Sequence, residues 1–89
     1  MKIVINGCYG GFGLSKEAVA ELGRSNCGRQ DVKLIELIET KGSEYCSGSF
    51  AALEVVSIPD ESTDWEIIEY DGAEYVLYVL DGKIHYACE

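Results

Sequence analysis

The stretch Trp65-Glu66-Ile67-Ile68-Glu69-Tyr70-Asp71-Gly72-Ala73-Glu74-Tyr75-Val76-Leu77-Tyr78-Val79-Leu80-Asp81-Gly82-Lys83-Ile84-His85-Tyr86-Ala87-Cys88 decides the fold. It holds two Asp-Gly pairs, Asp71-Gly72 and Asp81-Gly82, each flanked by strand-forming residues. An Asp-Gly pair tolerates the two positive φ angles of a tight two-residue reversal, so each predicts a β-hairpin. Together they predict an antiparallel meander of three strands, Trp65–Tyr70, Ala73–Leu80 and Lys83–Cys88. Two-residue loops also set the register. Glu69 is then opposite Glu74, Ile67 opposite Val76, Trp65 opposite Tyr78, and Tyr78 opposite His85.

Side chains alternate across a strand, so the meander has two faces of different character. One carries Ile68, Tyr70, Tyr75, Leu77, Val79, Ile84, Tyr86 and Cys88 with Glu66 as its only charge. By composition this face is expected to meet the helices. The other mixes Trp65, Ile67, Val76 and Tyr78 with Glu69, Glu74, Lys83 and His85. Aromatic rings rimmed by carboxylates are the composition of a protein-binding surface. The alternative is that the N-terminal elements or a second copy of the chain cover it.

Working outward, Leu53-Glu54-Val55-Val56-Ser57-Ile58 reads as a strand stopped by Pro59. Asp60 to Asp64 then forms an exposed acidic turn. At the other end, Lys2-Ile3-Val4-Ile5-Asn6 is a short β-branched strand with almost continuous apolarity, the pattern of burial on both faces. Ser15 is an N-cap for a first helix, with Leu14 and Val19 placed as a hydrophobic staple and Gly23 as its stop. Asp31 caps a second helix, whose apolar face is Val32, Leu34, Ile35, Leu37 and Ile38 and which ends at Gly42. Residues 42–49 read as loop. The fold class is α+β, one small domain over residues 1–89: an N-terminal strand, two helices, then a mostly antiparallel sheet ending in the meander.

Eighty-nine residues leave no room for a second cored domain, and no apolar run approaches the ~20 residues a bilayer span requires. The start shows no secretory pattern, so the chain is expected in a reducing cytoplasm. The net charge is −9, and it is unevenly placed. Residues 1–53 hold six acids and six bases, whereas residues 54–81 hold nine acids and no base. Direct nucleic-acid binding needs clustered Lys and Arg, which are missing here, and anionic membranes are equally disfavoured. A field of this sign attracts basic protein surfaces. Cys8, Cys27, Cys46 and Cys88 have no metal-ligand spacing, and the single histidine, His85, is next to none of them. No cofactor, no metal site and no catalytic set is expected. Cys8 is the one thiol placed between a strand and a helix, where backbone N–H groups lower a thiol pKa.

Gly7-Cys8-Tyr9-Gly10-Gly11-Phe12-Gly13-Leu14-Ser15 links strand to helix, the general setting of a phosphate site. It lacks the Gly-Lys-Ser/Thr of a Walker loop, and Lys16 stands where a dinucleotide fingerprint has its third glycine. A ligand here would use Gly10, Gly11, Gly13, Ser15 and Lys16. The competing account is that the glycines let the chain turn while Tyr9 and Phe12 fold against the sheet.

These residues carry a resemblance. Lys2-Ile3-Val4-Ile5-Asn6 with Cys8-Tyr9-Gly10-Gly11-Phe12-Gly13-Leu14-Ser15 is similar to a family of small bacteriophage and prophage proteins. Ile58-Pro59-Asp60, Asp64-Trp65-Glu66-Ile67 and Glu69-Tyr70-Asp71-Gly72-Ala73-Glu74-Tyr75-Val76 match it too. The chain is shorter than that family between residues 23 and 30, and residues 83–89 are its own ending. The resemblance implies a phage accessory gene product and carries over no catalytic residue. It leads to an expected function: a non-enzymatic, anti-CRISPR-like inhibitor in the host cytoplasm. Its acidic surface would mimic nucleic acid against a basic host protein or ribonucleoprotein complex. Trp65, Glu66, Glu69, Glu74 and Tyr78, with Asp60, Glu61 and Asp64, would make the contact. The alternative is a protein that sequesters a nucleotide or other small molecule at residues 7–15.

Overall fold

The computed structural model describes residues 1–24 and 27–87. Its elements are β1 (Lys2–Asn6), α1 (Lys16–Leu22), α2 (Val32–Lys41), α3 (Ser43–Cys46), β2 (Leu53–Ser57), β3 (Asp64–Tyr70), β4 (Ala73–Leu80) and β5 (Lys83–Ala87). The expected α+β class holds. The strands form two antiparallel sheets, β1-β2 and β3-β4-β5. α3 occupies part of the stretch read as loop, and Ser47 closes it with its N–H on the Ser43 carbonyl. The expected place of Cys88 on the last strand lies outside the described residues.

Both Asp-Gly reversals form as expected. Asp71 and Asp81 have φ of 52° and the following Gly72 and Gly82 have φ of 91° and 75°, the paired positive values of a type I′ turn. The register is the one those turns demand, with Glu69 opposite Glu74, Trp65 opposite Tyr78 and Tyr78 opposite His85. The helix ends also follow their cap residues. Ser15 accepts from the Ala18 N–H and Asp31 from the Leu34 N–H, while Gly23 ends α1 in the left-handed region at φ 76°. Val32, expected on the apolar face of α2, is exposed.

β1-β2 is the middle layer of the molecule. Val4 and Leu53 point to one side and pack with Ala18, Leu34, Ile35, Ile38 and Cys46 of the helices. Ile3, Ile5, Val56 and Ile58 point to the other and pack on the meander, where Val76 is fully buried and Trp65, Ile67, Tyr78 and Ala87 lean in. Being covered on both sides is why Ile3, Val4 and Ile5 are apolar without interruption.

This layering reverses the expectation for the meander. The face of Trp65, Ile67, Val76 and Tyr78 is inward, covered by β1-β2. The face of Ile68, Tyr70, Tyr75, Leu77, Ile84 and Tyr86, expected to meet the helices, is outward. Tyr70, Ile84 and Tyr86 are 71%, 61% and 65% exposed. The reason lies in where the charges fall, not in how many there are. Glu69, Glu74 and Lys83 occupy the ends of their strands, beside the turns, and leave the centre of the inward face apolar.

Candidate protein-binding surface

On the outward face, cross-strand neighbours stand in rows. Asp64 is paired with Val79 and Val79 with Ile84; Glu66 is paired with Leu77 and Leu77 with Tyr86. Ile68 is paired with Tyr75, whose ring meets that of Tyr86 edge-on at 5.5 Å. The result is an aromatic and aliphatic sheet face with two exposed carboxylates, Asp64 and Glu66, along its β3 margin. Asp71 and Asp81 stand exposed at the two turns.

The other expected contact residues are distributed differently. Glu61 and Glu69 are exposed, and Glu69 accepts from the Gly72 N–H. Asp60 is exposed and meets the N-terminal ammonium, which holds its carboxyl below the usual range. Trp65 and Tyr78 are half-buried against the middle layer, and Tyr78 stacks on His85 at 5.3 Å between ring centres. Both pack on the middle layer and belong to the inward face.

Glu74 is engaged within the protein. Its side chain is 7% exposed and grips Arg29 with both oxygens, Nη1 to Oε1 at 2.6 Å and Nη2 to Oε2 at 2.9 Å. The Asn6 N–H donates to the same Oε1 at 2.7 Å. Arg29 also donates to the Val4 carbonyl, receives the Val4 N–H on its own carbonyl, and lies over the Phe12 ring at 3.8 Å. One guanidinium thus ties the free edge of β1, the glycine-rich loop and the meander together. A planar five-donor group suits that task, and a lysine would not reproduce it. No local pattern marks Arg29, because its partners lie 25 and 45 residues away in sequence.

Close packing accounts for Gly10 of the glycine-rich loop, and a φ of 106° for Gly11. A Cβ on Gly10 would fall 1.7 Å from the Phe50 carbonyl oxygen. Asn6, fully buried, donates through Nδ2 to the Cys8 and Gly72 carbonyls and accepts through Oδ1 from the Ala52 N–H. Of the residues suggested for a ligand, Ser15 already caps α1 and donates to the Tyr45 carbonyl. Lys16 lines a shallow cleft with Ser15, Ser47 and Ser49, but Gly10, Gly11 and Gly13 do not line it, and Glu17 does.

Cys8 donates to the Phe50 carbonyl at 3.1 Å, and burial raises the pKa of Cys46. Among the described residues no three His, Cys, Asp or Glu side chains gather as a metal site, and no helix is long and apolar enough to cross a membrane. No family model, curated protein or solved structure matches the chain.

Proposed function

We propose that this chain is a phage accessory protein that acts by binding, in the host cytoplasm, to a basic surface of a host protein or ribonucleoprotein complex. In this reading it blocks a defence nuclease in the anti-CRISPR manner, by competing with nucleic acid. One observation carries it: an uncovered apolar sheet face with Asp64 and Glu66 on its margin. Large apolar patches bordered by polar groups mark interaction sites. The nine acids and absent bases of residues 54–81 give that surroundings one sign, which steers a basic partner and disfavours a second copy of the chain. The anchors in this reading are Tyr70, Tyr75, Ile84 and Tyr86 in place of Trp65 and Tyr78.

The test is affinity capture from a bacterial lysate, followed by competition with a nucleic-acid oligonucleotide. The captured complex should dissociate as salt rises and should be displaced by the oligonucleotide. An Asp64→Lys/Glu66→Lys variant should lose the partner while keeping its melting temperature. Glu74 is unsuitable for this purpose because its loss would strike Arg29. Undiminished capture by the charge-reversed variant, or indifference to the oligonucleotide, defeats the proposal. Small-molecule sequestration at the glycine-rich loop draws support from the cleft beside Lys16. A nucleotide thermal-shift screen reads it out separately.

A further inference from the structure

The two Asp-Gly turns are alike in sequence and in backbone, and they differ in what holds them. At Asp71-Gly72 the Gly72 N–H donates to Glu69 Oε1 at 3.3 Å, and the Gly72 carbonyl accepts from Nδ2 of the buried Asn6 at 2.7 Å. The glycine-rich loop presses on the same residue, with the Tyr9 carbonyl oxygen 2.7 Å from where a Gly72 Cβ would be. At the other turn Asp81, Gly82 and Lys83 are all exposed, and nothing lies within 4 Å of where a Gly82 Cβ would be. Among the described residues no side chain and no other segment hydrogen-bonds to this turn. We propose that Asp81 is a site of spontaneous isomerisation to isoaspartate, and that the packing of its turn protects Asp71 from the same reaction.

The reaction joins the Gly82 backbone nitrogen to Asp81 Cγ. The nitrogen loses its proton, the carboxyl group loses its hydroxyl, and the two depart as water, leaving a five-membered succinimide. Water then adds back across one of the two ring C–N bonds. Opening at Cγ restores Asp81. Opening at the former main-chain carbonyl carbon routes the chain through Cβ and Cγ and frees the α-carboxylate. One water leaves and one returns, so no other reactant is needed. Glycine favours the attack, since no Cβ shields its nitrogen and its backbone turns freely. The peptide plane between the two residues must still swing out of the turn. At Asp71-Gly72 that swing breaks both hydrogen bonds of Gly72 and meets the Tyr9 carbonyl. At Asp81-Gly82 only the turn itself resists. β5 is moreover an edge strand whose Ile84 and Tyr86 are largely exposed, which puts the β4–β5 hairpin in the part of a fold that opens locally. The product has an extra methylene in its main chain, so the two-residue loop that pins Leu80 opposite Lys83 is lost. Ile84 and Tyr86 then leave their rows on the outward face. This consequence rests on the docking role proposed above, whereas the modification itself does not.

The test ages the protein in neutral buffer at physiological temperature and maps its peptides by mass spectrometry with electron-transfer fragmentation, which tells isoaspartate from aspartate. Residue 81 should convert at least fivefold faster than residue 71, and heavy-oxygen water should label the converted peptide. In guanidinium chloride the two sites should react at nearly equal rates, because glycine follows both. Gly82→Ala should slow conversion at residue 81 at least fivefold and leave residue 71 unchanged. Equal rates in the folded protein, or residue 71 ahead of residue 81, overturn the proposal. A difference that persists in guanidinium chloride overturns it too, since packing would then not be the cause. The isomerised form, separated chromatographically, should capture less partner than fresh protein. Undiminished capture by it overturns the consequence for docking and leaves the modification site standing. Failure of the parent chain to capture anything counts against the docking face, and the peptide maps still decide the modification.

Discussion

Asn6 shows how much one buried amide holds. Its side chain satisfies the Cys8 and Gly72 carbonyls and the Ala52 N–H, groups drawn from three separate segments. Asn6→Ala would strand them in the interior, and leaving buried polar groups unpaired costs about 2–3 kcal/mol here. Urea denaturation should show that loss with an unchanged m-value; a change below about 0.5 kcal/mol would mean water replaces the amide. Asp31 makes a pH-dependent contribution of its own. The Leu34 N–H, first, and then the Arg24 guanidinium hold its carboxyl below the usual carboxylate range. A depressed folded pKa stabilises the protein above the unfolded value and is lost as pH falls through the folded one. Asp31→Asn keeps a capping oxygen but removes the titration, so its stability should fall less than the parent's between roughly pH 5 and pH 2. Parallel acid limbs in the two proteins would contradict this.

The two hairpins offer a comparison between elements of nearly identical local chemistry. Both turns are Asp-Gly with positive φ at each residue, so local strain on replacing glycine by alanine is similar. Their surroundings differ. A Cβ on Gly82 meets open space, whereas one on Gly72 comes within 2.7 Å of the Tyr9 carbonyl oxygen and the Gly11 nitrogen. Gly82→Ala should therefore cost about 1 kcal/mol, and Gly72→Ala at least about 2 kcal/mol more, because the loop must be displaced. Equal costs would mean that loop and turn are not packed together. These turns were legible in the sequence because Asp-Gly encodes its own φ angles. The caps Ser15, Asp31 and Gly23 were legible for the same local reason, each acting within four residues. α3 was not: its four residues carry no amphipathic period, and no side chain caps Gly42.

At the scale of the whole molecule, the order of layers decides which face of the meander is left for a partner. Val76→Ala, at the centre of the inward face, should cost about 2 kcal/mol, while Ile84→Ser and Tyr86→Ser should stay within about 0.5 kcal/mol. The opposite ranking would restore the face assignment that composition suggests. The charge pattern, the turns, the register and the double-sided burial of β1 were determined by the sequence alone, because each depends on neighbours in the chain or on a simple period. The partition of the meander into inner and outer faces, the capture of Glu74 by Arg29 and the packing that sets one Asp-Gly turn apart from the other were decided only by tertiary structure. Alternation sorts residues onto two faces without saying which one is covered. That depends on β1-β2 being a middle layer: the helices occupy one side of it and leave the meander the other. Ion pairs and contacts between segments many residues apart arise only once those layers meet, and no local pattern foreshadows them.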